Sequence, residues 1–146
     1  MSTDNDILEI YRSAGQLQEK YIFYIVALCV SAIGFSVYCT IDKPLHYTHI
    51  PLGIAVLLWG TSIFSGLNYI KWAIEIKRTN YQKLDVMSDS QLMRQVSFQS
   101  IIDILDKKEK SFSNKLQIYF PLQEYSFYSG VVFFIIWHII EMSFIK

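Results

Sequence analysis

Three long runs of apolar residues divide the chain. They cover residues 21–41, 50–72 and 125–145, and the first run contains no charged residue. A helix rises about 1.5 Å per residue and the hydrocarbon core of a bilayer is roughly 30 Å thick, so about 20 apolar residues are enough for one crossing. The pattern therefore predicts an all-α integral membrane protein with three transmembrane helices at these positions.

Helical spacing of apolar residues continues beyond the first two runs. In the polar segment 1–20 and after residue 72, apolar side chains recur at intervals typical of one helix face: Ile7, Ile10, Ala14 and Leu17, and then Ile74, Tyr81 and Leu84. Because only the short stretch 42–49 separates the first two runs, these spans should be antiparallel neighbours. We expect a hairpin whose two helices both extend out of the bilayer as a stalk. The alternative for residues 1–20 is an amphipathic helix lying on the membrane surface.

The segment 73–117 is polar and should be helical in part. Ser88 and Gln91 have the spacing of a capping box, and apolar residues from Leu92 to Leu105 keep helical spacing. The charged run 106–110 should end this helix, and residues 111–117 resemble a loop. Pro121 then stands where a helix entry is expected, just ahead of the third span.

Charge is scarce and unevenly placed. Hydrophobic residues make up 52% of the chain and charged residues 18%, and the formal net charge is zero, so no basic excess predicts a nucleic-acid partner. Eight lysines and arginines lie between residues 73 and 117, against Lys43 alone in the first connection. By the positive-inside rule, the long segment and the N-terminus should be cytoplasmic and the C-terminus outside.

Small residues in the first two spans predict a close helix contact. Ser62 and Gly66 are spaced four apart on the second span, and Ala27 and Ser31 match them on the first. In lipid such pairs let two helix backbones approach, because packing and not hydrophobic exclusion drives association.

The sequence carries no recurrent catalytic signature. It has no HExxH zinc motif, glycine-rich phosphate loop or GxSxG elbow, so we expect no enzyme activity, cofactor or metal site. Two histidines of the first connection, His46 and His49, are better explained as interfacial polar residues than as metal ligands. His138 and Glu141 interrupt the third span on one helix face. With Asn68 and Thr40 they are candidates for a polar pathway or a subunit contact, and the alternative for Glu141 is an interfacial carboxylate.

Residues 7–105 combine an N-terminal helix, a membrane hairpin and a polar helical segment. This layout resembles the small membrane effectors of bacterial defence systems, which share a two-span helical module. The resemblance lies in the layout and not in a signature motif, and the third span departs from it. It implies a multi-pass protein of the bacterial inner membrane that perturbs the membrane when activated.

We therefore expect a non-enzymatic membrane protein that forms homo-oligomers in the bilayer and forms or gates a pore, as the effector of a defence or toxin system. Three spans are too few to enclose a pathway within one copy. Two alternatives remain open. The chain is either an anchor or scaffold that recruits a soluble cytoplasmic protein partner, or a holin-like protein.

Overall fold

In a computed structural model, the backbone is described for residues 3–41, 47–88 and 97–144, and the side chains for the same ranges except residues 3–12, 14, 97, 98 and 144. Three long α-helices account for almost all of these residues: α1 (Thr3–Thr40), α2 (Ile50–Ser88) and α3 (Ser97–Phe144). A short 3-10 turn, Tyr47–His49, precedes α2. The described part of the chain is thus almost entirely helical, as the sequence predicts.

The first two helices run past their apolar stretches, in agreement with the sequence. Helix α1 joins the polar N-terminal segment to the first apolar run without a break, and α2 continues from the second run to Ser88. At 1.5 Å per residue, the 39 residues of α2 extend over roughly 58 Å, about twice the thickness of a hydrocarbon core.

Helix α3 corrects three predictions. The charged run 106–110 does not end a helix, and residues 111–117, which we expected to form a loop, lie inside the same helix of 48 residues. Pro121 lies within that helix and not ahead of it. Residues 106–117 contain no glycine or proline, and lysine, glutamate and glutamine are good helix formers, so polarity here indicates exposure and not a loop. Ser88 is the last residue of α2, whereas Gln91 lies outside the described residues. The expected cap therefore stays a prediction.

The chain divides into two compact units, Met1–Gly66 with Leu122–Lys146, and Leu67–Pro121. The first, which we call the three-helix unit, has a core of residues from all three helices. Ile25 and Cys29 of α1 pack with Ala55 and Trp59 of α2, and Phe134 of α3 lies against them with its ring 5.7 Å from that of Trp59. The core of this unit thus combines aliphatic side chains with the Trp59 indole, and partly buried phenylalanines of α3 pack against it.

Helical spacing continues the stripe of Ile7, Ile10, Ala14 and Leu17 through Tyr24 and Leu28, and we call this stripe the predicted seam. It is not the face of α1 that packs in this unit. Ile22, Ile25, Cys29 and Ser36 are buried and follow helical spacing, whereas Tyr24 and Leu28, one position before Ile25 and Cys29, are exposed. The predicted seam continues into the apolar run with the same 3–4 periodicity as the buried face, but it is turned away from the core.

The second unit, which we call the hairpin unit, consists of the C-terminal part of α2 and the N-terminal part of α3. Tyr69, Thr79 and Ile102 are buried in it, and the ring of Tyr69 lies 5.9 Å from that of Phe120. Lys83 donates to Asp106 and lies 3.6 Å from the carboxylate of Glu109. The hydrogen bond to Asp106 raises the pKa of Lys83 above its ordinary value.

The apolar stretches turn most of their surface outward. Three helices are long and apolar enough to cross a membrane, over Gly15–Thr40, Tyr47–Ser88 and Gln99–Ser143, and only 17–33% of the most apolar window of each is buried inside the chain. A helix that is apolar all round and largely exposed suits a lipid environment and not water.

Candidate functional site

A buried polar layer joins the three helices of the three-helix unit. Its centre is Gln123 of α3, which is only 1% exposed. The Ser62 hydroxyl on α2 donates to the Gln123 carbonyl oxygen at 2.9 Å, and the Gln123 amide nitrogen donates to the Ile22 carbonyl oxygen on α1 at 3.4 Å. One glutamine therefore links both other helices. Beside it, the Tyr21 hydroxyl donates to the Glu124 carboxylate at 3.0 Å.

Two glycines provide the space that the large side chains of this unit occupy. A methyl group added to Gly66 would lie 2.6 Å from the Gln123 amide nitrogen, and one added to Gly130 would lie 2.6 Å from the indole nitrogen of Trp59. Trp59 is itself only 2% exposed. Each glycine lets a bulky side chain rest directly on a helix backbone, which any larger residue would prevent.

The three-helix unit holds more buried polar atoms than it pairs. The Gln123 side-chain oxygen, the Ser65 hydroxyl and the Trp59 indole nitrogen are buried and make no hydrogen bond within the described part of the chain. An amide, hydroxyls and an indole can exchange hydrogen bonds. The chemistry of this layer suits helix positioning.

The predicted packing residues separate into two pairs. Ser62 and Gly66 are buried against α3 and α1, and the Gly66 backbone also approaches Val26. Ala27 and Ser31 are exposed, and the Ser31 hydroxyl donates to the Ala27 carbonyl oxygen of its own helix. Inside the chain, α1 approaches the Ser62–Gly66 region through Val26, which lies on a different face of the helix from Ala27 and Ser31.

The predicted polar-pathway residues are distributed over both units. Thr40 is half-buried and donates to the Ser36 carbonyl oxygen of its own helix at 2.9 Å, and Glu141 is half-buried. His138 is exposed, and its imidazole makes no hydrogen bond to any described residue. Asn68 is half-buried in the hairpin unit.

All four residues of the predicted stalk seam whose side chains the structure describes are on the surface. Leu17 of α1 is exposed, and so are Ile74, Tyr81 and Leu84 of α2. The side chains of Ile7, Ile10 and Ala14 lie outside the described residues. The mutual packing of these two stripes therefore stays a prediction.

A second, outward face of α1 combines small residues with hydroxyl groups. It is formed by Tyr24, Ala27, Ser31, Gly34 and Tyr38, which are all exposed and spaced 3, 4, 3 and 4 apart. A methyl group added to Gly34 would meet nothing within 4 Å. We call these five residues the small-residue face. The sequence indicated two of its members through the Ala27–Ser31 pair but assigned them to a contact inside the chain.

The described residues offer no metal site, since no group of three or more His, Cys, Asp or Glu side chains comes together among them. Residues 42–46 of the first connection, including Asp42 and His46, lie outside the described ranges. No protein-family model matches the chain, and no curated protein or solved structure is significantly similar to it.

Proposed function

We propose that this chain is a non-enzymatic protein of the bacterial inner membrane that oligomerises through the small-residue face of α1 and forms or gates a pore, as the membrane effector of a defence or toxin system. The lipid bilayer and further copies of the chain are its partners. The observation that carries the proposal is the composition of the small-residue face. This face is exposed, because the other helices of the three-helix unit do not cover it.

The outward surface of α1 has two sides of different character. Phe23, Val30 and Val37 are large, apolar and exposed, as suits contact with lipid tails. The small-residue face instead carries an alanine, a serine and a glycine between two tyrosines. Small residues and hydroxyls are typical of helix–helix contacts in membranes, because they permit close backbone approach and interhelical hydrogen bonds. We therefore assign lipid to the first side and a second copy to the other.

A groove beside this face gives a second copy room to pack. It has a volume of about 400 Å³, and Leu28, Ser31 and Phe35 line it from α1, while Phe127 and Val131 line it from α3. A helix of another copy that packed against Ser31 would place its side chains in this groove. Such packing would restore the contacts that the lining residues lack in the single chain.

His138 supports a polar surface between copies. A polar side chain facing lipid within a span is costly, and intramembrane ionisable groups usually face protein or water. Its imidazole is exposed on α3 and makes no hydrogen bond among the described residues. Water in a shared pathway, or a group on a neighbouring copy, would satisfy it.

The orientation that we propose has the N-terminus and the hairpin unit in the cytoplasm and the C-terminus outside. The stretch from Leu67 to Pro121 contains nine basic and six acidic residues, which gives it a net charge of +3, whereas the remainder of the chain is at −3. This excess of lysine and arginine favours the cytoplasmic side.

Cysteine crosslinking tests the interface. In a Cys39→Ser background, where the remaining Cys29 is buried, Ser31→Cys should give disulfide-linked dimers in native membranes. Val30→Cys is the matched control, because it lies on the same helix turn but on the lipid side, and it should stay monomeric. Equal crosslinking of both variants, or none at either position, would contradict the proposed interface.

A scaffold that recruits a soluble protein is the second candidate. It is favoured by the exposed apolar side chains of the hairpin unit, Ile74, Tyr81 and Leu84, which a partner would cover. The two functions differ in a membrane-potential measurement on cells induced to express the protein. Depolarisation supports the pore, whereas an unchanged potential together with recovery of a stoichiometric soluble partner supports the scaffold.

A further inference from the structure

Three lysines of the hairpin unit surround a pair of stacked aromatic rings. Trp72 of α2 and Phe112 of α3 stack with ring centroids 5.2 Å apart. The Lys115 ammonium lies 3.7 Å from the centroid of the Trp72 ring and the Lys71 ammonium lies 5.3 Å from it. The Lys108 ammonium is 6.0 Å from the centroid of Phe112. We call Lys71, Lys108 and Lys115 the lysine cluster.

The positive charge of the lysine cluster has no counter-ion within the described part of the chain. Two acidic residues of the hairpin unit, Asp106 and Glu109, pair with Lys83 and not with the lysine cluster. Glu75 is one helical turn from Lys71 but makes no ion pair with it. Ring faces attract the lysines but carry no net negative charge, so the rings do not neutralise the charge of the three ammonium groups.

The chemistry of the cluster is that of donors without an acceptor. Each ammonium group offers three N–H donors and accepts none. The buried Trp72 indole N–H beside them also makes no hydrogen bond within the described residues. The ligand that fits is therefore an anion with several acceptor oxygens, such as a phosphate group.

The position of the cluster selects the source of that phosphate. Trp72 ends the apolar run 50–72, so the cluster lies at the boundary between apolar and polar sequence on α2. Tryptophan is enriched at the level of the lipid headgroups, and lysines near the end of a membrane-spanning helix extend toward the same layer. A phosphodiester is present there at high local concentration in every phospholipid bilayer.

We propose that Lys71, Lys108 and Lys115, held around the Trp72–Phe112 stack, form a binding site for the phosphodiester headgroup of an anionic phospholipid. This site requires that the chain lies in a bilayer, but it requires neither oligomerisation nor a pore. It gives the hairpin unit a fixed contact with the membrane surface beside the span of α2.

The wild-type protein tests the ligand. The full chain is purified and delipidated in a neutral detergent, and thermal unfolding is followed while phosphatidylglycerol, phosphatidylcholine or inorganic phosphate is added. Phosphatidylglycerol should raise the unfolding temperature at a concentration at which the other two have no effect. An equal shift with phosphatidylcholine would overturn the preference for an anionic lipid, and an equal shift with inorganic phosphate would overturn the headgroup assignment.

Matched triple variants test the site. Changing Lys71, Lys108 and Lys115 together to Gln should raise the phosphatidylglycerol concentration for the half-maximal shift about a hundredfold, since each lysine near an anionic headgroup strengthens binding roughly fivefold. Their replacement by Arg keeps the charge and should preserve binding. The control changes Arg78, Lys107 and Lys110 to Gln, which alters the net charge equally but lies away from the rings, and it should keep near wild-type binding. Equal weakening of the two Gln triples would overturn the site.

Discussion

The contact between Gly130 and Trp59 makes the most specific prediction about the fold of the three-helix unit. Gly130→Ala places a methyl group 2.6 Å from the indole nitrogen and 2.7 Å from the Cδ1 atom of Trp59. The indole is rigid, only 2% exposed and packed against Phe134, so it has little room to move. The added methyl group must therefore push α3 away from α2.

Gly60→Ala is the matched control, because it makes the same chemical change inside a helix but meets nothing within 4 Å. Both variants gain about 0.5–1 kcal/mol from replacing glycine in a helix. Only Gly130→Ala suffers overpacking, which typically costs 1–3 kcal/mol. We therefore expect Gly130→Ala to have a free energy of unfolding about 1–3 kcal/mol lower than that of Gly60→Ala.

Equilibrium unfolding in mixed micelles measures this difference. Helix content is followed by circular dichroism while sodium dodecyl sulfate is titrated into the neutral detergent. The double variant Gly130→Ala with Trp59→Phe should recover part of the loss, because the smaller ring leaves space for the methyl group. Equal free energies of unfolding for Gly130→Ala and Gly60→Ala would refute the close approach of Trp59 to the α3 backbone.

Two further predictions concern single hydrogen-bonding groups. Ser62→Ala should lower the free energy of unfolding by about 0.5–1.5 kcal/mol because the bond to the Gln123 carbonyl is lost, whereas Ser31→Ala, whose hydroxyl bonds only its own helix, should be nearly neutral in the same titration. Equal effects would contradict the role of Ser62. Pairing raises the pKa of Lys83 above 10.5, so the ion pair with Asp106 stabilises the fold below that pH and is lost as the pH rises through the raised pKa. Thermal scans should find Lys83→Met less stable than wild type at pH 8 and equal to it once Lys83 is neutral, and a gap that persists there would contradict this assignment.

The helices themselves were largely predictable from the sequence. Apolar runs of span length and the helical spacing of apolar residues beyond them predicted the first two helices, and the structure confirms their extension into polar sequence. The prediction of a loop at residues 111–117 is wrong because the polar residues there are good helix formers, so their polarity indicates exposure only. Pro121 removes one backbone donor, yet the helix continues on both sides of it, so a proline alone was a poor boundary signal.

The inward face of α1 was not predictable, for a physical reason. Periodicity reveals the buried face only where polar residues mark the other one. In residues 21–41 nearly every position is apolar, so the stripe through Tyr24 and Leu28 and the stripe through Ile25 and Cys29 have equal spacing. The structure buries the second stripe because it fits Trp59 and Ala55.

Gln123, the central residue of the polar layer, was not among the residues predicted from the sequence. Gln123 follows Pro121 and precedes an apolar run, so it reads as an ordinary flanking polar residue. The available signal was its three-residue spacing from Ser126, which places two uncharged polar side chains on one helix face. Both are buried. Ser62, which donates to the Gln123 carbonyl, was predicted only as a small packing residue and not as a hydrogen-bond donor.

Ion release from liposomes containing the purified protein tests most directly whether the small-residue face assembles a pore. Gly34→Leu adds a bulky side chain where the single chain has open space, so it should leave the fold intact while blocking close approach of a second copy. Gly60→Leu, which makes the same change at an exposed glycine of α2 that also meets nothing within 4 Å, is the control. The account predicts potassium release from wild type and Gly60→Leu and its loss in Gly34→Leu. Undiminished release from Gly34→Leu, or no release from wild type, would contradict it.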